Sequence, residues 1–153
     1  MTNNDILRRL RYALNINNTA VVEIFALADY SMDYMTLDRI FKKEEMDDYL
    51  ECSDDVLDAF LDGLIISKRG KQENKGAAVK KVTLNNNVIL KKIRIALELR
   101  DDALISIIAL ADLRVSKSEL SALFRKKGHK NYRECKDQFL RYFLKGLTTH
   151  LRK

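Results

Sequence analysis

The sequence predicts an all-α protein made of two copies of a roughly four-helix unit that pack together. The 153 residues include no proline and only five glycines, so very little in the chain breaks helices. Residues 3–64 align without a gap to the residues 83 positions later, and 25 of the 62 aligned pairs are identical. Identity at this level over a fixed offset is typical of an internal duplication.

The two copies are separated by a polar, basic stretch that has no hydrophobic period. We assign the first helical repeat to residues 1–67, the linker to 68–84 and the second helical repeat to 85–153. Lysine is the commonest residue of the linker, which also contains Gly70 and Gly76, and a polar, basic composition without period is typical of an exposed connection. We therefore expect any disorder in the chain to be concentrated there.

The first helix of each repeat is predicted over residues 4–15 and 87–99, because apolar residues recur there on one helical face. An asparagine pair stands at the start of each segment, and asparagine is a favoured N-cap residue. The predicted caps are Asn3 with Asn4 and Asn86 with Asn87.

The second helix, over 19–29 and 102–112, is apolar on most faces, so we expect it to be the buried central helix of its repeat. The third helix is predicted over 34–43 and 117–127. There, Ser116 and Glu119 have the spacing of a capping box, which marks the start of that helix.

The fourth helix is predicted over 53–67 and 136–150, and in both repeats the motif Tyr-x-Glu-Cys-x-Asp leads into it. Gly63 and Gly146 lie inside these helices, where glycine costs about 1 kcal/mol relative to alanine. A glycine kept at this position in both repeats indicates that another backbone passes close by. We assign both glycines to the packing between the repeats.

Charge is divided unevenly between the two halves of the chain. Residues 1–70 contain 8 basic and 14 acidic side chains, whereas residues 71–153 contain 20 and 8. The net charges are therefore −6 and +12, which together give the +6 of the whole chain. This asymmetry indicates either an anionic partner for the second half or pairing of the two halves with each other.

Some equivalent positions of the two fourth helices carry opposite charges. Asp58 is equivalent to Arg141, and Asp62 is equivalent to Lys145. If a pseudo-twofold axis relates the repeats, equivalent positions near the axis face each other. We therefore predict that the fourth helices pack together and that these residues form ion pairs, the alternative being divergence on solvent-exposed faces.

Three stretches and the duplication together carry a resemblance to a known family. The stretches are Lys68-Arg69-Gly70-Lys71, Asn85-Asn86-Asn87 with the residues after it, and His129 to Leu147. With them the chain resembles the YehS-like family of duplicated bacterial proteins, a domain of unknown function. The resemblance covers essentially the whole chain and implies a bacterial cytoplasmic protein of two helical repeats. It implies no catalytic residues.

The sequence contains no motif of a known enzyme class. It lacks a phosphate-binding loop, a Gly-x-Ser-x-Gly motif and a dinucleotide fingerprint. Two cysteines and two histidines without close spacing do not predict a metal site, and we expect no cofactor. Cys52 and Cys135 stand at equivalent positions near a helix start, and are either buried structural thiols or reactive ones.

No apolar run is long enough to cross a membrane, and the N-terminus does not have the pattern of a signal peptide. We therefore expect a cytoplasmic protein that does not interact with membranes.

Basic side chains on the first helices, and a basic run after the third helix of the second repeat, are candidates for binding RNA or DNA. Clustered lysine and arginine neutralise phosphates, and tyrosine stacks on bases. The candidates are Arg8, Arg9, Arg11, Lys91, Lys92, Arg94, Arg125, Lys126, Lys127, Lys130, Tyr132 and Arg133. A more specific hypothesis is a helix-turn-helix over residues 110–127.

We therefore expect a non-catalytic binding or adaptor protein whose basic second repeat contacts RNA, DNA or an acidic protein surface. The alternative is a protein–protein interaction module. In that case the acidic first repeat binds a basic surface or a second copy of the chain, which gives a homodimer.

Overall fold

The computed structural model describes residues 1–70 and 83–152, and within them the chain forms eight α-helices and no strand. The first repeat contains α1 (Asn3–Leu14), α2 (Asn18–Leu27), α3 (Tyr34–Ile40) and α4 (Asp54–Arg69). The second repeat contains α5 (Asn86–Leu97), α6 (Asp101–Ala109), α7 (Lys117–Leu123) and α8 (Asp137–Leu151). The predicted all-α fold with an internal duplication is confirmed.

The predicted linker lies mostly outside the described residues. Helix α4 continues through Arg69, two residues into the segment assigned to the linker, and Asn85 caps α5. The prediction of disorder between these points falls on residues 71–82, which the structure does not describe.

The helix caps differ in part from those predicted. Thr2, not an asparagine, caps α1 in a capping box with Asp5, and Asn85 caps α5. The predicted caps were therefore placed one or two residues too late, because the asparagines that follow are used for contacts with distant segments. The capping box of Ser116 and Glu119 at the start of α7 is confirmed.

The two repeats pack on each other reciprocally, as expected for a pseudo-twofold relation: the fourth helix of each contacts the first helix of the other. Helix α4 packs mainly against α5 and α2, and α8 packs in the equivalent way against α1 and α6. The fourth helix of each repeat thus faces the first helix of the other repeat. The prediction that the two fourth helices pack on each other is wrong.

Helices α4 and α8 are the central helices, because each lies between two others. Phe60 of α4 and Phe143 of α8 are fully buried in the apolar core. Helix α2 buries Val21, Ile24 and Phe25, but its Leu27 is 42% exposed. The prediction that the second helix is central is therefore wrong: α2 covers the outer side of α4.

The glycines in the fourth helices are explained by a backbone crossing. A Cβ atom on Gly63 would lie 1.9 Å from the carbonyl oxygen of Ile24, and one on Gly146 would lie 2.0 Å from that of Ile107. The predicted close approach of another backbone is confirmed. That backbone belongs to the second helix of the same repeat, so assigning these glycines to the packing between repeats was wrong.

We predict that Gly63→Ala destabilises the protein although it improves helix propensity. Propensity alone would stabilise the helix by about 1 kcal/mol, whereas forcing a methyl group against the Ile24 carbonyl should cost about 1–3 kcal/mol or more. Urea unfolding measures the net change. Ser67→Ala, at an exposed position of the same helix, is the control and should be close to neutral. A Gly63→Ala protein more stable than the parent would contradict the crossing.

Candidate nucleic-acid interface

A buried asparagine in each repeat holds the segment that connects the third and fourth helices. The Asn4 side-chain amide donates to the carbonyls of Ile40 (2.9 Å) and Leu50 (2.8 Å), and its oxygen accepts from the Cys52 N–H (2.8 Å). Asn87 makes the equivalent three hydrogen bonds in the second repeat. The duplicated Tyr-x-Glu-Cys-x-Asp motif is thereby fixed to the first helix.

The asparagine before each of these strengthens the same attachment. Asn3 donates to the Cys52 carbonyl and to the Asp54 carboxylate, and Asn86 does the same with Cys135 and Asp137. The motif is therefore a folding element, which is why it occurs in both repeats.

The two thiols are structural. Cys52 and Cys135 are both buried, and burial raises the pKa of each to about 12, with the neighbouring carboxylates of Asp54 and Asp137 adding to the effect. A thiol with such a pKa is almost entirely un-ionised at neutral pH, and the thiolate is the nucleophilic form. This favours the structural interpretation over the reactive one.

Two of the arginine candidates are occupied within the fold. The Arg11 guanidinium lies 4.5 Å from the centre of the Phe41 ring, and Arg94 lies 4.5 Å from that of Phe124. Arg94 also forms an ion pair with Asp101 at 2.7 Å. These side chains join the first helix to the end of the third helix in each repeat, so their guanidinium groups already have partners within the fold.

Arg8 and Lys92 also have ion-pair partners within the fold. Arg8 pairs with Asp5 and donates to the carbonyl of Lys42 at 3.2 Å. Lys92 lies between the carboxylates of Asp58 and Asp62 of the other repeat, 2.7 Å from the latter. Burial alone would lower the pKa of Lys92, but the hydrogen bonds and charges of the two carboxylates outweigh it and raise that pKa.

The ion pairs between the repeats therefore differ from those predicted. Within residues 1–70 and 83–152, Asp58 and Asp62 pair with Lys92 and not with Arg141 and Lys145. The prediction is wrong because α4 faces α5, so the partner lies on a first helix rather than on the equivalent fourth helix.

The remaining candidates of the second repeat surround an open concavity, which we call the basic groove. It has a volume of about 790 Å³ and lies between α7 and the segment that follows it. Its cations are Lys117, Arg125, Lys130 and Arg133. An adjoining concavity shares Arg125 and Tyr132 with the groove and adds Lys91, Lys126 and Lys127.

The equivalent surface of the first repeat is neutralised by its own carboxylates. Lys42, equivalent to Arg125, lies 3.7 Å from both Asp38 and Asp48. The second repeat has Ser121 and Asn131 at those two positions. Among the described residues, none of the cations of the basic groove forms an ion pair.

One carboxylate lines the groove. Glu119 accepts a hydrogen bond from the Ser116 backbone N–H as part of the α7 cap, and this bond, with the Ser116 hydroxyl and the charge of Arg133, lowers its pKa. Sequence reasoning missed Lys117 as a member of the groove. The sequence did contain a signal for the groove: the two aspartates that pair with Lys42 in the first repeat are replaced by Ser121 and Asn131 in the second. This replacement removes the carboxylates that would pair with Arg125.

The described residues contain no cluster of three side chains suited to a metal ion, and none of their helices is long and apolar enough to cross a membrane. Fold and groove together define a small duplicated helical protein. In its first repeat carboxylates pair with Lys42, whereas the equivalent surface of its second repeat is basic. No solved structure matches the chain.

The chain belongs to the family described as "Protein of unknown function (DUF1456)", whose profile matches residues 3–70 and again residues 86–153. It is 44% identical over 155 residues to the "Uncharacterized protein YehS" of Escherichia coli (strain K12), a match that covers 100% of this chain and 99% of that protein. The resemblance to the YehS-like family is confirmed.

We predict that Asn87→Ala lowers the free energy of unfolding by about 2–4 kcal/mol, because three buried backbone groups lose their partner. Chemical denaturation measures the change. Asn17→Ala, which removes only the exposed cap of α2, should cost about 1 kcal/mol. Equal effects of the two substitutions would show that Asn87 does not anchor the segment.

We also predict that neither thiol reacts with Ellman's reagent at pH 8 in the folded protein, because both are buried and un-ionised. Both should react fully once urea unfolds the chain. Rapid reaction of one thiol without denaturant would contradict the structural interpretation.

Proposed function

We propose that the protein is a non-catalytic cytoplasmic binding or adaptor protein whose second repeat contacts RNA or DNA through the basic groove. The observation that supports this most directly is the difference between the repeats. The first repeat pairs Lys42 with two aspartates, whereas the equivalent Arg125 forms no ion pair within the part of the chain that the structure describes, and Glu119 is the one carboxylate that lines the groove.

The composition of the groove favours the phosphate backbone as the ligand. Clustered unpaired cations release counterions when they bind phosphates, which drives association at low salt. The groove is open and joins a second basic concavity, so an extended polyanion fits it better than a small enclosed ligand does.

Tyr132 suits a single-stranded nucleic acid in particular. It is half-buried and lines both concavities, so its ring stands among the cations. Base–aromatic stacking is tolerant of sequence, because every base has a π-face. We therefore expect binding with modest sequence preference.

The surroundings of potential catalytic groups support a role without catalysis. The two thiols are buried and un-ionised, and His129 uses its Nδ1 to accept the Asn131 N–H at 3.0 Å within an exposed turn. Neither arrangement provides an activated nucleophile with a base beside it.

The second candidate function is protein binding by the acidic first repeat. Its α3 and the following segment expose Tyr34, Met35 (80%) and Met46 next to a cluster of carboxylates. Flexible methionines framed by negative charge suit a basic, partly apolar protein surface or a second copy of the chain. Light scattering tests self-association, and a strictly monomeric protein would exclude the homodimer.

We predict that the protein binds fluorescently labelled single-stranded RNA or DNA with an affinity that falls steeply as salt is raised, since counterion release drives binding. Lys130→Glu, in the basic groove, should weaken binding by about tenfold and reduce the salt dependence, because it replaces one phosphate contact with a repulsion. Lys43→Glu makes the same change in charge at an exposed position of the first repeat and is the matched control. Fluorescence anisotropy at two salt concentrations measures both.

Tyr132→Ala separates stacking from charge. It should weaken binding by about 1–3 kcal/mol per stacked base while leaving the salt dependence unchanged. Binding that is absent, indifferent to salt, or equally reduced by Lys43→Glu would exclude the basic groove as a nucleic-acid site.

A further inference from the structure

The interface between α1 and α8 contains a second concavity, formed by both repeats, which we call the inter-repeat groove. It has a volume of about 670 Å³, and five cations line it, of which Arg8 and Arg11 also have partners within the fold. They are Arg8, Arg9 and Arg11 of α1, Lys145 of α8, and Arg152 just after α8. Among the described residues, no carboxylate lines it. It differs from the basic groove in position, in residues and in being built from both repeats.

Because the chain is duplicated, this interface can be compared with an equivalent one in the same protein. The equivalent interface joins α5 to α4, where Lys92 lies between Asp58 and Asp62. The residues equivalent to these three are Arg9, Arg141 and Lys145. One interface therefore holds a cation between two anions, and the other holds cations at all three positions.

The two carboxylates that pair with Lys92 at α4–α5 have basic residues as their equivalents at α1–α8. The acidic neighbour of Arg9 on α1 is Asp5: burial would raise the pKa of Asp5, but hydrogen bonds from Thr2 and the charges of Arg8 and Arg9 lower it. Arg9 and Lys145 line the same groove, and Arg141 lies one turn before Lys145 on α8. Arg141 lowers the pKa of Asp137, but this carboxylate already accepts from Asn86 and from the N-terminal amine. Within the described residues, Arg9, Arg141 and Lys145 form no ion pair.

Two further features of the groove suit an anionic ligand. Arg11 lines the groove, and its buried Nε atom has no hydrogen-bond partner among the described residues, while the rest of its guanidinium packs on Phe41 and donates to Asn18. The Arg152 guanidinium donates to the Tyr12 carbonyl at 2.7 Å and covers one face of the Tyr12 ring, 4.1 Å from its centre. A cation from the end of the chain is thus held at the rim of the groove.

We propose that the inter-repeat groove binds a soluble polyphosphate group, such as that of a nucleotide. Two carboxylates balance Lys92 in the equivalent interface, so the ligand must bring at least two negative charges. Arginine binds phosphate oxygens in a bidentate manner, and lysine adds a point charge. The volume lies within the range of small-molecule sites. This proposal is independent of the function proposed for the basic groove.

The test gives the α1–α8 interface the acidic residues of the α4–α5 interface. Arg141→Asp with Lys145→Asp recreates around Arg9 the arrangement that surrounds Lys92. Lys43→Asp with Arg114→Asp makes the same change in net charge at exposed positions outside both grooves. Binding of sodium tripolyphosphate, ATP and adenosine is measured by calorimetry at constant ionic strength, with sodium sulfate as the anion control.

The parent and the Lys43/Arg114 control should bind tripolyphosphate and ATP, and should bind sulfate and adenosine at least about tenfold more weakly. The Arg141/Lys145 variant should lose at least about tenfold in affinity for tripolyphosphate. Its melting temperature without ligand should exceed that of the parent, because Arg9 gains carboxylate partners. Lys145→Gln, which removes a single charge, should weaken binding in the same direction and serves if the double variant does not fold.

Absence of tripolyphosphate binding in the parent, or equal binding by the Arg141/Lys145 variant, would overturn the proposal. An equal loss in the Lys43/Arg114 control would show unspecific attraction and would also overturn it. An RNA oligonucleotide that displaces tripolyphosphate and loses affinity in the Arg141/Lys145 variant would assign the groove to nucleic acid. Failure of the basic groove is detected separately, by Lys130→Glu in the RNA titration.

Discussion

The hydrogen bonds of one buried asparagine per repeat connect parts of the chain that would otherwise be independent. The Asn87 side chain joins the start of α5 to the carbonyl of Leu123, at the end of α7, and to that of Arg133. These two carbonyls bracket residues 124–132, which contribute Arg125, Lys130 and Tyr132 to the basic groove. The segment contains no regular helix, so its backbone polar groups rely on turn hydrogen bonds, such as that from the Tyr132 N–H to the His129 carbonyl, and on side-chain partners such as Asn87. Asn87 therefore fixes both the fold of the repeat and the position of its basic residues.

A second constraint acts between the repeats. Because each fourth helix packs against the first helix of the other repeat, neither repeat buries its apolar face alone. The close crossing at Gly63 brings α4 against α2 on its other side, and Gly146 does the same for α8. The fourth helices are thus held from two directions, and this arrangement leaves the interfaces α4–α5 and α1–α8 free to differ in charge while keeping the same backbone.

Much of the fold could be predicted from the sequence, because its signals are local or repeated. The duplication, the helical class, the capping box at Ser116 and the close approach at Gly63 all follow from spacing and residue type. The partner of the fourth helix could not be predicted in this way. Pairing Asp58 with Arg141 assumed that equivalent positions meet at the axis, whereas the partner is Lys92, on a helix of a different kind. An amphipathic pattern shows that a face is buried but not what covers it.

The same limit applies to the candidate site. Arg11 and Arg125 look alike as isolated basic residues in a sequence. In the fold, however, the Arg11 guanidinium packs on the ring of Phe41, thirty positions away. Which cations are free depends on tertiary contacts, and only the comparison between repeats contained a usable signal. Where Asp38 and Asp48 are replaced by Ser121 and Asn131, the neighbouring cation loses its partners while the fold around it is unchanged.

The duplication also makes each repeat a reference for the electrostatics of the other. An unpaired cation on a helical surface is ordinarily uninformative, because solvated lysines and arginines are common. Here the same helical unit occurs twice, so each cation can be compared with its equivalent. Aspartates pair with Lys42 but are replaced around the equivalent Arg125. Aspartates likewise pair with Lys92, whereas their equivalents near Arg9 are basic. The first arrangement shows that the fold accommodates the paired state. Stability alone therefore does not require the unpaired state, and an anionic ligand at the second repeat and at the inter-repeat groove gives a physical reason for it.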